Sequence, residues 1–295
     1  MQEICVIVIN YLDSKMTLRC LQSLQNEAFD TLYVADNSAD PKATQDFLEM
    51  ISAFLETTPP WQLIASVNSE NVGFGRAING VIQADRSKGG GHRRYLLMNN
   101  DARGESGFID GLIEKANEST GIGLVTPRIQ WGSEWVCLRW YHRMTGHISR
   151  RPLPGSFPYA TGCCLLVDHR LLGDDGKLFD ERFFMYGEDV LLTWTARQRG
   201  FDVVCAESVM IEHEGSASSS RGSYFYEFQV AKGHWILGAA LAANSWDRTL
   251  IQVLRGVYLS LRALRRSSQF RTTIPVRAFW EASRAQLNQD VRSPT

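Results

Sequence analysis

The feature that most restricts the fold is a regular alternation through the first half of the chain. Short apolar runs at 4–9, 31–35, 62–67 and 95–98, the first three with β-branched residues, are separated by stretches in which apolar residues recur at helical spacing. Those stretches cover about 17–25, a segment that follows Pro41 and ends near Leu55, and 74–85. Runs of this length are strands, the last of them of a buried type, and helical crossovers join strands that point the same way. The expected core is therefore a mostly parallel sheet flanked by helices. Gly89, Gly90 and Gly91 mark a break before the fourth run.

The middle of the chain is less regular. Between 121 and 158 it is rich in Trp, Arg and Gly, with strands expected near 122–125 and 146–150. A strand over 159–167, a helix over 187–199 closed by Gly200, and a strand over 202–206 follow, and the globular fold is expected to close near 215. From Tyr224 onward the pattern is helical. Residues 244–295 carry nine arginines against Asp247, Glu281 and Asp290, a surplus of six positive charges. Trp246, Leu250, Val253, Leu254, Val257, Leu261 and Leu264 give this tail an amphipathic stripe. Such a helix can lie on an anionic membrane surface, pack on a partner subunit, or cover its own domain with a solvated Arg face.

The whole chain balances 31 basic against 32 acidic residues, so no nucleic-acid partner is expected. The apolar stretch 235–243 is far shorter than the roughly 20 residues that cross a bilayer. Cysteines at 5, 20, 137, 163, 164 and 205 form neither a C-x-x-C pair nor the paired spacing of a zinc site, and read as reduced core residues. The first apolar run begins next to Met1 without a basic, cleavable leader, so a cytoplasmic location is expected.

Five polar clusters stand at the ends of these elements. Asp36, Asn37 and Ser38 follow the second run, where open α/β sheets bind ligands and a carboxylate can accept from a base or ribose. They also suit an ordinary turn. Asn71, Val72, Gly73, Phe74 and Gly75, with Arg76 and Asn79, form a glycine-containing helix start that permits close backbone approach. The loop is not a dinucleotide fingerprint, because the third glycine would fall at Ile78. Asn99, Asn100 and Asp101 end the fourth run, and Asp101 can ligate a hard divalent cation that bridges a diphosphate. Glu188 and Asp189, behind the aromatics Phe183, Phe184 and Tyr186, open a helix where a carboxylate is available as a base. His213, flanked by Glu212, Glu214, Gly215 and Ser216, can complete a metal site with Asp101 or donate to a phosphate. Each cluster alone also fits a turn, a helix start or a surface residue.

The order and spacing of these clusters over about 3–218 resemble the family 2 inverting glycosyltransferases of GT-A fold, in particular their bacterial rhamnosyltransferase-like branch. The likeness runs from Val6 through Asn10 and Tyr11, the Asp36 and Asn71–Asn79 clusters, and Asn99 to Asp101. It continues through Thr161 to Val167, Glu188 with Asp189, and His213. It implies an α/β/α nucleotide-binding sandwich over 1–218 and a helical, basic extension over 219–295. It also implies a donor site of Asn10, Asp36, Asn71, Gly73, Phe74, Asn79, Asn99, Asn100 and Asp101. Acceptor contacts would come from Gly162, Phe184 and Tyr186, with the irregular middle shaping that pocket. Mg²⁺ or Mn²⁺ would sit on Asp101 and His213, and Asp189, with Glu188 beside it, would be the general base. The implied reaction is transfer of one sugar from a UDP- or dTDP-sugar, dTDP-rhamnose among them, to a glycan or lipid-linked acceptor. A lipid-linked acceptor would give the basic C-terminal helices a reason to touch the inner membrane face, and a homo-oligomer is a further expected association.

The sequence departs from the family at Asn99, which stands where a strict D-x-D has its first Asp. The Q-x-x-R-W motif of processive synthases does not follow Gly200, and Lys232 and His234 replace an expected Arg-Asn pair. Two other readings are kept. A sugar-nucleotidyltransferase would need a basic, glycine-rich phosphate loop after the first run, where the chain instead has Asn10, Tyr11, Leu12, Asp13 and Ser14. The other is a non-catalytic carbohydrate-binding or scaffold subunit.

Overall fold

A computed structural model describes residues 2–87, 91–215 and 222–292, so the break at Gly89 and Gly90 and any part played by Ser216 lie outside the described residues. In chain order the elements are β1 (Gln2–Asn10), α1 (Ser14–Leu24), β2 (Thr31–Asp36), α2 (Pro41–Leu55), β3 (Gln62–Val67), α3 (Phe74–Ser87) and β4 (His92–Asn99). Next come β5 (Ala102–Gly104), α4 (Phe108–Asn117), β6 (Ile122–Trp131), β7 (Glu134–Val136), β8 (Leu138–His142), β9 (Ile148–Ser149), β10 (Ser156–Ala160) and β11 (Cys164–Asp168). A short 3-10 turn, His169–Leu171, precedes α5 (Glu188–Gln198), β12 (Asp202–His213), α6 (Tyr224–Ala240), α7 (Ser245–Phe270) and α8 (Ile274–Arg292).

The chain forms two compact units built from interleaved stretches. The first comprises Met1–Leu138, Ala160–Glu181 and Thr195–Gly215; the second comprises Arg139–Tyr159, Arg182–Trp194 and Ser216–Thr295. The helices expected after 218 thus share a unit with 139–159 and 182–194.

The first unit is a sheet of order β3-β2-β1-β4-β11-β6-β12-β5, with β7 paired to β6. Its β3-β2-β1-β4 half is parallel throughout, as the alternation requires. Antiparallel β11 separates that half from the parallel pair β6 and β12. Helix starts follow local capping chemistry. The Asp13 carboxylate accepts from Met16 N–H at 2.9 Å to begin α1, and Asp40 accepts from Ala43 N–H at 2.8 Å ahead of Pro41 to begin α2. Apolar residues on these helices, such as Leu21, Leu24, Phe47 and Phe54, close over one sheet face with Val6, Val8, Leu32 and Leu96. Burial of this kind contributes on the order of 1.5–3 kcal/mol per large side chain.

Three expectations need correction. The 159–167 run is two strands: β10 belongs to a three-stranded sheet with β8 and β9, and β11 belongs to the large sheet. Both are apolar, so the break at 161–163 leaves the hydrophobic pattern unmarked. The strand expected over 146–150 shortens to Ile148–Ser149. Cys137 and Cys205 are joined in a disulfide across 68 residues of sequence, and only Cys5, Cys20, Cys163 and Cys164 are free among the described residues. Cysteine usage therefore gives no argument for a reducing compartment.

The second unit has its own cores. Tyr141, Phe157 and Tyr159 pack with Phe183, Val190, Ile236 and Leu237. Trp235, Leu259 and Ala282 tie α6, α7 and α8 together. Arg255 is fully buried here. It donates to the Tyr141 hydroxyl at 2.8 Å, to His234 O at 2.6 Å and to Arg143 O at 2.8 Å. Burial, reinforced by Arg255, holds His234 well below its ordinary pKa, and the neutral ring shares a hydrogen bond of 2.9 Å between its Nδ1 and the Tyr141 hydroxyl.

Candidate functional site

In the first unit, Asn10, Asp36 and Asn99 are the last residues of β1, β2 and β4, and they emerge at one end of the parallel half. Parallel pairing sets this arrangement, since Asn10 lies opposite Asp36 and Ile9 opposite Asn99. Asp36 is completely buried. Its Oδ1 accepts from Asn10 Nδ2 at 2.8 Å, Ser38 Oγ at 2.5 Å and Ser38 N–H at 3.2 Å, and its Oδ2 accepts from Thr44 Oγ1 at 2.7 Å. The Thr17 hydroxyl donates to Asn10 Oδ1 at 2.6 Å and accepts from Asn100 Nδ2 at 3.0 Å, which extends the network to the end of β4. Asp36 is thus a buried hub, and a base or ribose would have to share oxygens already in use.

The Asn71 cluster is braced by Asn37. Asn37 Nδ2 donates to Asn71 Oδ1 at 2.9 Å, while Asn37 Oδ1 accepts from Asn68 Nδ2 at 3.0 Å and Val72 N–H at 3.1 Å. Gly73 N–H also reaches Asn71 Oδ1 at 3.0 Å, with Gly73 at φ 84°, a conformation that side chains oppose. This turn delivers Phe74 to the start of α3, where its ring lies 6.0 Å from that of Phe179. Asn79 points the other way. Its Nδ2 donates to Phe179 O at 2.8 Å and Glu181 Oε1 at 3.3 Å, and its Oδ1 accepts from Leu178 and Phe179 N–H, both at 3.0 Å. That amide is a strut for 178–181 and can reach a ligand only by giving up one of these bonds.

Asp101 follows the turn at Asn100 and leads directly into β5, which pairs antiparallel with the end of β12 so that His213 lies opposite Ala102. The pairing brings His213 Nε2 to 3.2 Å from Asp101 Oδ1, with both side chains about nine-tenths buried at 6% and 10% exposure. Glu214 N–H donates to Asp101 O at 3.1 Å and fixes the turn. Asn99 N–H is held by Cys163 O at 2.8 Å, beside Gly162. One carboxylate oxygen and one imidazole nitrogen this close could both face a divalent cation, the carboxylate being the hard oxygen ligand of the two. Thr161 Oγ1 in the same unit is buried without a hydrogen-bond partner.

At the opposite end of the sheet, Cys5, Asp85 and His92 also lie within ligand distance of one another. His92 Nδ1 is 2.9 Å from Asp85 Oδ2, to which the Tyr95 hydroxyl donates at 3.0 Å. Burial, then the Asp85 charge, raises the Cys5 thiol well above its ordinary pKa, so it stays protonated. His92, Asp85 and Tyr95 form a buried hydrogen-bond network, while the Cys5 thiol donates to Val6 O at 3.8 Å.

In the second unit, Glu188 and Asp189 open α5. Burial, then the neighbouring Asp189 charge, pushes Glu188 up to about 8, and its Oε2 is buried without a hydrogen-bond partner. Asp189 is half-buried and its Oδ1 accepts from Val190 N–H at 2.8 Å. The Asp189 charge also adds to the effect of burial in raising the Tyr159 hydroxyl. The segment before α5 is aromatic and held in an uncommon conformation. Tyr186 has φ 69° and stacks edge-on with Tyr226 at 5.2 Å, while Phe184 meets Phe225 at 5.8 Å. Gly233 makes room for it, since a Cβ there would lie 2.2 Å from Tyr186 O.

Glu188 carries a pH prediction. Its folded pKa lies above its unfolded value, so its contribution to stability is complete below about 4.5 and is lost as pH rises through about 8. The melting temperature of Glu188→Gln, followed by calorimetry across that window, should fall less steeply with pH than that of the native chain. Parallel slopes would remove the buried, protonated carboxyl from the account.

Thr17 and Thr44 complete the Asp36 network, and Tyr141 and Arg255 complete the His234 network, with no sign of these partnerships in the sequence. A lone Thr or Arg on an amphipathic helix carries no sequence mark of such a partner.

No protein-family model matches the chain. It is 25% identical over 292 residues to the N-acetylglucosaminyl-diphospho-decaprenol L-rhamnosyltransferases of two Mycobacterium tuberculosis strains, spanning 88% of this chain and 91% of each relative. In structure it is similar to a mannosyltransferase from Pyrobaculum calidifontis in complex with GDP-Man and Mn²⁺, with TM-score 0.58 and 12% identity over 100% of this chain and 76% of that one. It is also similar to GalNAc-T7 with UDP, GalNAc and Mn²⁺, with TM-score 0.61 and 12% identity over 89% of this chain and 51% of that one. The fold is that of the GT-A glycosyltransferases.

Proposed function

We propose that the chain is a metal-dependent, inverting glycosyltransferase that moves one sugar from a UDP- or dTDP-sugar, with dTDP-rhamnose the leading donor, to a hydroxyl of a lipid-linked N-acetylglucosamine acceptor. The observation that carries the reading is the buried Asp101–His213 pair at 3.2 Å, beside the strand ends of a GT-A sheet. The mycobacterial relative, named for rhamnosyl transfer to such an acceptor, supports the choice of substrates. Asp101 and His213 would hold Mn²⁺ or Mg²⁺, which would supply charge neutralisation to the departing nucleoside diphosphate.

The remaining roles belong to the protein. Asn71, Gly73 and Phe74 would line the donor on one side, with Asn10 and Asp36 behind them and Asn99 and Asn100 beside the diphosphate. Gly162, Phe184 and Tyr186 would contact the acceptor. Asp189 would take the proton from the acceptor hydroxyl as that oxygen bonds to the anomeric carbon and the bond to the diphosphate oxygen breaks, which inverts the centre. Glu188, neutral beside it, would leave Asp189 as the one charged carboxylate of the pair.

Calorimetric titration with UDP, GDP and dTDP, with Mn²⁺ and with EDTA, tests the donor half. One of these nucleotides should bind with Mn²⁺ and lose on the order of tenfold or more in affinity with EDTA. Absence of binding by all three would favour a scaffold subunit. The nucleotidyltransferase reading finds no basic loop after β1, where Leu12 N–H is tied to Ser38 Oγ at 2.8 Å.

A further inference from the structure

Helix α7 is apolar on two opposite sides. One side buries Ile251, Leu259 and Ala263 with Arg255, as expected of a helix packed on α6 and α8. The other side carries Trp246, Leu250, Val253, Val257, Leu261 and Leu264, at steps of three and four residues that keep them in one line. Trp246 is 87% exposed, and the other five are 52–62% exposed. The line covers about 27 Å of helix at 1.5 Å per residue. Isolated exposed leucines are ordinary, whereas a continuous ridge of this length marks a contact surface.

The charges around the ridge select the partner. Helix α7 has five arginines and a single acid, Asp247, which is turned inward to Arg143 at 2.6 and 2.8 Å. Buried Glu227 engages Arg262 at 2.9 Å and Arg266 at 2.6 Å. A positive balance is left, with Arg265 exposed beside Leu261 and Leu264. Anionic lipid headgroups complement it, and a helix with Trp, Leu and Val on one side and arginine at its flank sinks that side into the interface between headgroups and acyl chains. Among the described residues no helix is long and apolar enough to cross a membrane, so the contact is with the surface.

We propose that the outward face of α7 docks the protein on an anionic lipid bilayer through Trp246, Leu250, Val253, Val257, Leu261 and Leu264. The inference stands on this surface alone and does not depend on the reaction proposed above. Its test is sedimentation of the full chain with phosphatidylcholine vesicles, with and without phosphatidylglycerol, in the absence of any sugar nucleotide. The native chain should pellet with the anionic vesicles. The Trp246→Ser, Val257→Ser, Leu261→Ser variant should lose on the order of a hundredfold in partitioning while its melting temperature stays unchanged. Leu261→Gln alone should give a smaller loss, and Arg265→Glu one that vanishes at high salt. Failure of the native chain to bind, or equal binding by the triple variant, would overturn the proposal. A native dimer in sedimentation equilibrium that the triple variant abolishes would also overturn it, assigning the face to a second copy.

Discussion

Asp189→Asn is expected to lower turnover by about a hundredfold to ten-thousandfold while nucleoside diphosphate affinity stays within about threefold. The amide keeps the size of the carboxylate and one carbonyl oxygen, so Val190 N–H, now bound at 2.8 Å, retains an acceptor and the first turn of α5 is preserved. What is removed is the capacity to take a proton. The prediction is specific because of Glu188. Two adjacent carboxylates in a partly dry site cannot both ionise cheaply, and burial assigns the proton to Glu188. Removing charge at Asp189 should therefore also bring Glu188 back toward its usual range. Normal turnover in Asp189→Asn would take Asp189 out of the base role, and an equal loss in Glu188→Gln would show that the pair shares it.

Asp101→Ala should weaken Mn²⁺-dependent nucleotide binding on the order of a hundredfold or more, leaving the EDTA-treated affinity nearly unchanged. Asn99 stands where a full acidic motif would offer a second carboxylate, so His213 alone would face the ion in the variant. The turn should survive, because Glu214 N–H binds the backbone carbonyl of residue 101 and β5 pairs with β12 through main-chain bonds. The same titration on Asp36→Ala separates ligand contact from architecture. Four hydrogen bonds end on that carboxylate, so its loss should lower the melting temperature before it says anything about a base. An Asp101→Ala protein that still tightens its grip on nucleotide when Mn²⁺ is added would move the metal elsewhere.

The parallel half of the sheet could be read from the sequence because its signals are local. Short apolar runs alternate with helical spacing, and Asp13, Asp40 and Pro41 mark helix starts within a few residues of the helices they cap. Pairings across long stretches were hidden. Nothing near Cys137 or Cys205 points across 68 residues. The union of 139–159 with 182–194 and α6 depends on Tyr141, Phe157, Phe183 and Leu237 meeting in one core, which no periodicity records.

The candidate site divides in the same way. Asp101 and His213 stand in the sequence as polar ends of apolar runs, and β-pairing brings them to 3.2 Å. Asn79 was equally prominent as a polar residue by a glycine loop, yet its amide faces inward to 178–181. An amide that braces a loop and one that binds a ligand look alike in sequence, because the difference lies in which way the side chain turns.

The most direct test of the account is a transfer assay. The full chain with Mn²⁺ would be offered UDP-, GDP- and dTDP-sugars together with a lipid-diphosphate N-acetylglucosamine acceptor, and the glycolipid product and released nucleoside diphosphate would be quantified together. One favoured donor is expected, dTDP-rhamnose first among the candidates, with one sugar added per acceptor, inverted anomeric configuration and loss of product in EDTA. Binding of the donor without transfer to any acceptor, or a product that retains the donor's anomeric configuration, would contradict it.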